Sequence, residues 1–196
     1  FDQTSTPSLS VIALEKPAAW SRLAAICERY PDAHCVTTGL SWTEVGGPLV
    51  TVLRRLQQHG LVLSVDPRTG ETQVHAELAD PRWVDPVPGS PCYLSDGRVL
   101  IGGELAHDGF DARCLFADGG LLTPASLYVR RVCGRLGADL LIEASEGEPS
   151  EQHLYRVGTH AASAATDVRR LTNRSGWHTG FSGGETLVVG SRSFEH

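Results

Sequence analysis

A serine in a glycine-rich pentapeptide is the residue of this sequence that most resembles a catalytic nucleophile. Residues 180–184, GFSGG, match G-x-S-x-G, the pattern in which many hydrolases place a serine on a sharp turn between a strand and a helix. Here Ser182 is followed by Gly-Gly and the β-type run 185–189, and only residues up to His196 could supply the acid and histidine of a triad. We therefore predict a β-turn between two strands and no catalytic residue in the chain.

The sequence also lacks the usual residue patterns of metal and cofactor sites. The histidines show neither H-x-x-x-H nor H-E-x-x-H spacing, and the 5 cysteines form no C-x-x-C pair. Gly102-Gly103 and Gly119-Gly120 have no Lys-Ser/Thr after them, so we expect strand-end or turn glycines and not a phosphate loop. The sequence predicts no metal and no cofactor, and thiols that stay free in a reducing compartment, which favours a cytoplasmic location.

Charge and composition indicate a soluble globular protein. Of its 196 residues 41% are hydrophobic, and 17 basic and 23 acidic residues give a net charge of −6 without a cationic cluster. No apolar run reaches the roughly 20 residues that span a bilayer, and the polar start of the chain does not resemble a signal peptide. We expect neither nucleic acid nor a membrane as partner.

The elements that position these residues are short β-strands arranged in a repeat. Apolar, β-branched runs are bounded by Gly, Pro, Asp or Asn, as at 95–97, where Ser-Asp-Gly precedes the strand 98–101 and supplies a tight turn. Three leucines, spaced 44 and 49 residues apart, each come at the end of a predicted strand. An aromatic residue follows each leucine, and these aromatic residues are spaced 45 and 49 residues apart. They are Leu78, Leu122 and Leu171, and Trp83, Tyr128 and Trp177.

A period of about 40–50 residues with four strands is typical of a propeller blade, which must cover its neighbour to bury both faces. We therefore predict an all-β fold of antiparallel four-stranded blades of a β-propeller, with about three complete blades. The predicted blades are 39–79, 83–123 and 128–172, with partial blades at 8–30 and 177–196. A β-sandwich is the alternative fold. Residues 16–29 could form a short helix or an irregular strand, and 9–14 a strand.

Several short segments carry a resemblance to a known family. From about Ala79 onward the sequence resembles the non-catalytic propeller of the dipeptidyl peptidase IV group, within the prolyl oligopeptidase family of serine peptidases. The segments are 80–84 (DPRWV), 95–97 (SDG), 146–157 (EGEPSEQHLYRV), 170–172 (RLT) and 176–178 (GWH). Their order and spacing are similar to those of the last blades before the hydrolase domain.

The resemblance implies a parent enzyme in which an eight-bladed propeller caps an α/β-hydrolase domain that cuts dipeptides from a free amino end. In that family two adjacent glutamates grip the substrate amine, and the hydrolase domain supplies Ser, Asp and His; neither set can be placed on this sequence. The expected function is a non-catalytic propeller portion that gates peptide access to the absent active site. Its expected partners are peptide substrates through the parent, the hydrolase domain in cis and a second copy of the chain. The alternative is a propeller that only binds a protein or peptide.

The resemblance also indicates which residues could face a substrate. In the family the segment after the Trp83 position approaches the central cavity and places an aromatic side chain there, and Val87 is the nearest match in this sequence. Trp83 and Val87 are therefore the predicted substrate-facing residues. Trp83 and Trp177 could stack on a ligand, although large aromatics that recur once per blade more often pack between sheets. For the histidines we expect His153 on a strand face and His178 in a turn.

Overall fold

The computed structural model describes residues 33–36, 46–66, 71–160, 167–183 and 186–193. Within these ranges every helix or strand is a β-strand, and the strands form antiparallel sheets of four, four, four and two strands. The predicted all-β class and the four-stranded blade are thereby confirmed. The strand predicted at 9–14 and the helix considered for 16–29 lie outside the described residues.

The first two blades are meanders in which consecutive strands pair. Blade 1 contains β1 (Ala33–Val36), β2 (Leu49–Arg54), β3 (His59–Val65) and β4 (Thr72–Ala79). Blade 2 contains β5 (Cys92–Tyr93), β6 (Val99–His107), β7 (Phe110–Ala117) and β8 (Gly120–Leu121). Because β1 pairs with β2, from Ala33 opposite Arg54 to Val36 opposite Thr51, this sheet starts before the blade start that we placed at residue 39.

The third blade repeats the meander, and two strands of the next one follow it. Blade 3 contains β9 (Leu127–Leu136), β10 (Asp139–Glu146), β11 (His153–Val157) and β12 (Val168–Arg170). Blade 4 is described for β13 (Trp177–Gly183) and β14 (Thr186–Arg192). All of β10 except its last residue is buried, as a central strand between covered faces requires.

Asp-Gly pairs form the tight turns. Asp108-Gly109 joins β6 to β7 and Asp118-Gly119 joins β7 to β8, with φ of 48° and 80° in the first pair and 46° and 82° in the second. Two consecutive positive φ angles define the hairpin turn that matches the twist of the strands. At Asp96-Gly97 the Leu94 N–H donates to the Arg98 carbonyl oxygen (2.7 Å), so the predicted turn between β5 and β6 is confirmed.

The two larger hydrophobic clusters lie between blades, and a smaller one of Val50, Val52 and Leu63 belongs to blade 1 alone. One cluster joins blade 1 to blade 2 through Leu49, Leu53, Val62, Leu78 and Val99, among others. A larger cluster joins blades 2 and 3 and includes residues from β6, β7, β9, β10 and β11. Blades 1 to 3 therefore bury most of their apolar core by packing sheet on sheet, which is the physical reason for the repeat.

Main-chain hydrogen bonds also join neighbouring blades, at two seams that we call latches. In the first latch the Val84 N–H donates to the Gln57 carbonyl oxygen (2.6 Å). In the second the His178 N–H donates to the Gln152 carbonyl oxygen (2.9 Å), and the Gln152 N–H donates to that of Gly176 (3.1 Å). The Gln152 side chain, itself buried, adds a bond from Nε2 to the His178 carbonyl oxygen (2.9 Å).

Gly102-Gly103 lies in the middle of β6, so the prediction of strand-end or turn glycines is wrong for this pair. A Cβ at Gly102 would collide with the Val87 side chain. The glycine therefore makes room for an incoming loop residue. Gly119-Gly120 behaves as expected, since Gly119 is in the turn before β8.

Candidate functional site

Ser182 is placed by a β-hairpin, in which it lies opposite Leu187. It occupies β13, one residue before the end of the strand, so it is a strand residue and not the turn residue that we predicted. The next described element is another strand, β14, whereas a nucleophile elbow needs a helix after the serine. Its Oγ is buried, has no hydrogen-bond partner among the described residues and lies over Gly134 of β9. In the part of the chain that the structure describes, no base is hydrogen-bonded to this Oγ to activate it as a nucleophile.

Ser182→Ala is therefore expected to leave peptide hydrolysis unchanged and to leave the chain folded. A chromogenic Xaa-Pro dipeptide should be stable to both forms of this chain. The free energy of unfolding should rise by up to about 1 kcal/mol, because a buried hydroxyl without a partner is lost. Urea unfolding measures this.

The matched control is Ser145→Ala. The Ser145 Oγ donates to the Glu151 carbonyl oxygen (2.6 Å) and accepts from Arg130 Nε (2.8 Å), so its loss should cost about 1–2 kcal/mol. Turnover of the dipeptide by wild type that disappears in Ser182→Ala would contradict the assignment.

The two predicted substrate-facing residues have opposite environments. Val87 is 0% exposed and belongs to the core between blades 2 and 3, so its side chain cannot contact a substrate and that prediction is wrong. The reason is that the loop after Trp83 folds inward onto β6, at Gly102. Trp83 is 54% exposed, and its role as a substrate-facing residue stays a prediction.

The recurrent aromatic residues do not pack between the sheets as we expected. Trp83, Tyr128 and Trp177 are all exposed, and the residues that directly follow them are buried. The buried followers are Val84, Val129 and His178. Side chains alternate along a strand, so burying the follower turns Tyr128 of β9 and Trp177 of β13 outward; Trp83 lies in the loop between β4 and β5.

A cleft of about 220 Å³, which we call the acidic cleft, lies between blades 1 and 2 and is lined by Val84, the residue that follows Trp83, among others. Its lining includes four carboxyl groups, those of Glu77, Asp80, Asp85 and Glu104. The Asp80 carboxylate accepts the N–H groups of Trp83 (2.8 Å) and Arg82 (2.7 Å), which hold its pKa below the usual value.

Glu104 is the member of the acidic cleft whose ionisation is opposed. Burial raises the pKa of Glu104, and the carboxylates of Asp111, Asp85 and Asp80 act in the same direction against the nearby Arg113. Arg113 itself forms an ion pair with Asp85 (3.0 Å). The cleft therefore has a negative potential that Arg113 and Arg82 offset in part.

Two buried histidines stack at the seam between blades 3 and 4. The ring centroids of His153 and His178 are 5.1 Å apart. His153 Nε2 contacts Glu151 Oε2 (3.0 Å), and His178 Nε2 donates to the Arg174 carbonyl oxygen (2.8 Å). His153 lies on strand β11 as expected. His178 lies on β13 and not in a turn, although one of its ring nitrogens satisfies a backbone group. These contacts are structural, since both rings are almost completely covered.

Cys92, Cys114 and Cys133 are free but poorly reactive. Burial raises the pKa of the Cys133 thiol to about 12, with Glu143 acting in the same direction, and burial also raises the pKa values of Cys92 and Cys114. Within the described ranges no group of three or more His, Cys, Asp or Glu residues could hold a metal ion. The same part of the chain contains no helix that is long and apolar enough to cross a membrane.

Comparison with known proteins decides the family. A sequence model described as the dipeptidyl peptidase IV (DPP IV) N-terminal region matches residues 3–193. The chain belongs to this dipeptidyl peptidase IV family. Among curated proteins no significant match was found.

A solved structure of the DPP IV family has a similar fold. Dipeptidyl peptidase 4 from Porphyromonas gingivalis aligns with a TM-score of 0.55 at 19% sequence identity, over 72% of this chain. At that identity the likeness concerns the fold, which is the β-propeller. The aligned part is 20% of the Porphyromonas chain, so this chain corresponds to a fraction of such an enzyme.

Sequence reasoning missed the latch residues and the acidic cleft. Gln57 and Gln152 act mainly through main-chain atoms, which leave no side-chain signature in a sequence. The cleft joins residues from β4 and β6, the fourth strand of one blade and the second strand of the next. Two strands of a four-stranded blade amount to half a repeat, so these residues are separated by about half of the repeat length. Carboxylates placed at that offset were the signal that could have revealed it.

Proposed function

We propose that this chain forms part of a propeller that restricts peptide access to the active site of a DPP IV-like serine exopeptidase. The observation that carries the proposal is the family match over residues 3–193. The hydrolase domain of the parent supplies the nucleophile, and the blades of this chain contribute the scaffold around the substrate path. The cytoplasmic location that the free thiols favour stays a prediction.

Rigidity of the blade seams supports such a role. A barrier excludes large substrates only if its parts do not separate. Here apolar clusters join blade 1 to blade 2 and blade 2 to blade 3, and main-chain latches join blade 1 to blade 2 and blade 3 to blade 4. The second latch is the stronger of the two described, since the buried Gln152 adds a side-chain bond to two main-chain bonds. Loops on a scaffold of this kind can select substrates by size.

Loosening the second latch tests the proposal in the full-length gene product. Gln152→Ala removes a buried hydrogen bond worth about 1 kcal/mol, so open states of the seam should become about fivefold more populated. We expect the hydrolysis of long polypeptides to rise about two- to fivefold relative to that of a dipeptide anilide. Both rates are measured on the same enzyme preparation.

The matched control is Gln73→Ala, which changes an exposed glutamine on the edge strand β4 and should leave the ratio unchanged. An unchanged ratio in Gln152→Ala, with faster hydrogen exchange at the seam, would contradict gating. A full-length protein that releases no dipeptides at all would contradict the peptidase assignment.

A further inference from the structure

A small cavity lies at the seam between blades 2 and 3, and we call it the seam cavity. Its volume is about 180 Å³. One side is lined by Gly89, in the loop before β5, and by Cys92 of β5, and the other side by residues 132–135 of β9 and Leu140 of β10. Of the described residues that line it, only Arg135 carries a charge.

The guanidinium group of Arg135 is only partly satisfied. Its Nη2 donates to the Tyr93 carbonyl oxygen, on β5. Its Nη1 is buried and has no hydrogen-bond partner among the described residues. None of the ion pairs between described residues involves Arg135, whereas Arg98, Arg113 and Arg156 each pair with an aspartate. Within the part of the chain that the structure describes, Arg135 is thus a half-buried charge without a counterion.

The unpaired charge of Arg135 has an energetic cost that a bound anion would offset. Arginine stays protonated in proteins, so this side chain cannot become neutral to lower the cost. Removing a charge from water is unfavourable unless a partner compensates for it. The field of the guanidinium also reaches into the cavity: burial raises the pKa of the Cys92 thiol, and the charge of Arg135 opposes that rise.

The walls of the seam cavity are fixed by main-chain contacts. The Val132 N–H donates to the Pro88 carbonyl oxygen (2.9 Å), and Gly89 packs so closely on Val132 that a Cβ would collide with its carbonyl oxygen. The pairing of β9 with β10 shifts by one residue at Cys133, which is a β-bulge, and bulges are frequent next to active sites. The cavity is therefore formed before any ligand arrives, which lowers the entropic cost of binding.

The size and the charge of the seam cavity restrict its ligand to a small anion. Its volume of about 180 Å³ equals that of about six water molecules of ~30 Å³ each. Pockets for drug-sized ligands are larger, at roughly 300–1,000 Å³. A phosphate ion or a single carboxylate group fits such a space, whereas a peptide does not. Both are anions that a guanidinium group binds through charge-assisted hydrogen bonds.

We propose that the seam cavity binds a small oxyanion, a phosphate ion or the carboxylate of a small acid, with the Arg135 guanidinium as its counterion. The bound ion would sit between β5 of blade 2 and β9 of blade 3 and would stabilise that seam. This site goes beyond the proposed gating role and does not depend on it.

Protection of Cys92 from alkylation tests the proposal on this chain. The probes are inorganic phosphate and acetate, each compared with sodium chloride at equal ionic strength, and peptide mass spectrometry follows the reaction of Cys92 with iodoacetamide. Since Cys92 lines the cavity, an ion at twice its dissociation constant should slow this reaction about threefold. In urea unfolding, an ion at ten times its dissociation constant should shift the folding equilibrium about elevenfold. The probe with the stronger effect shows which oxyanion the site prefers.

Substitutions of Arg135 show whether the guanidinium is the counterion. Arg135→Met keeps the apolar stem and should abolish both effects. Arg135→Lys keeps the charge and should weaken binding about tenfold, since one charge-assisted hydrogen bond is lost, so the test stays decisive if the first variant is unstable. The control is Arg169→Met, which changes an exposed arginine on β12 and should respond as the wild type does.

Three results would overturn the proposal. The first is that neither probe protects Cys92 or shifts the unfolding transition. The second is that Arg135→Met, or Arg135→Lys if the first does not fold, responds as the wild type does. The third is that sodium chloride has the same effect as both probes, which would show screening of charge and not a site. None of these results bears on the release of dipeptides by the full-length enzyme, so the two proposals can fail separately.

Discussion

Replacing Gly89 by alanine is expected to lower the free energy of unfolding by about 3 kcal/mol. Gly89 has φ of +85°, which costs other residues about 1–2 kcal/mol. An added Cβ would also meet the backbone carbonyl group of Val132, on β9, and overpacking typically costs about 1–3 kcal/mol. Next to it the Val132 N–H donates to the Pro88 carbonyl oxygen (2.9 Å), so the substitution should detach the loop between blades 1 and 2 from blade 3.

Gly119→Ala separates the cost of the positive φ angle from the cost of the collision with Val132. Gly119 has nearly the same φ, +82°, but a Cβ there would meet no atom within 4 Å. Only the conformational cost of about 1 kcal/mol should remain. Urea unfolding followed by tryptophan fluorescence measures both variants, and equal destabilisation of the two would mean that contact with blade 3 contributes nothing.

The second large effect is expected for Val87→Asp, which should lower the free energy of unfolding by about 4 kcal/mol or more. Val87 is 0% exposed in the core between blades 2 and 3, and a carboxylate without a partner is among the most costly groups to bury. The nearby Trp83→Asp should cost about 1 kcal/mol or less, because Trp83 is half exposed. Equilibrium unfolding compares the two directly.

These two variants also test the corrected position of Val87. A residue that faced a substrate path would tolerate aspartate, and the stability of the chain would hardly change. A folded Val87→Asp protein of wild-type stability would therefore restore the substrate-facing prediction and contradict the core that we describe.

The strands were predictable from the sequence because turn chemistry and hydrophobic pattern coincide there. Asp96-Gly97 and the apolar run after it identify the β5–β6 turn from local information alone. The repeat of Leu78 and Leu122 was informative for a similar reason: both are buried at the end of a blade, where each sheet needs the same apolar contact.

The exposure of the aromatic residues could not be predicted in this way. For Tyr128 and Val129 on β9, alternation tells us that the side chains point to opposite sides, but both faces of a blade meet other sheets, so it does not tell us which residue is covered. Trp83 and Val84 lie in the loop between β4 and β5, where side-chain direction has no period. The latch to Gln57 decides this, and it involves a main-chain atom distant in sequence. Val87 was missed because it lies in a loop, where side-chain direction has no period.

The main-chain chemistry of the latches has a consequence for how this family changes over time. Peptide N–H and C=O groups are present whatever the side chain, proline apart, so the main-chain bond from Val84 to Gln57 does not depend on the side chain at position 57. The sequence constraint at the joints then falls on the side chains that are also buried there, such as Val84 and Gln152. A propeller built in this way can keep its geometry while most of its residues are exchanged, as the fold shared with the Porphyromonas enzyme at 19% identity illustrates.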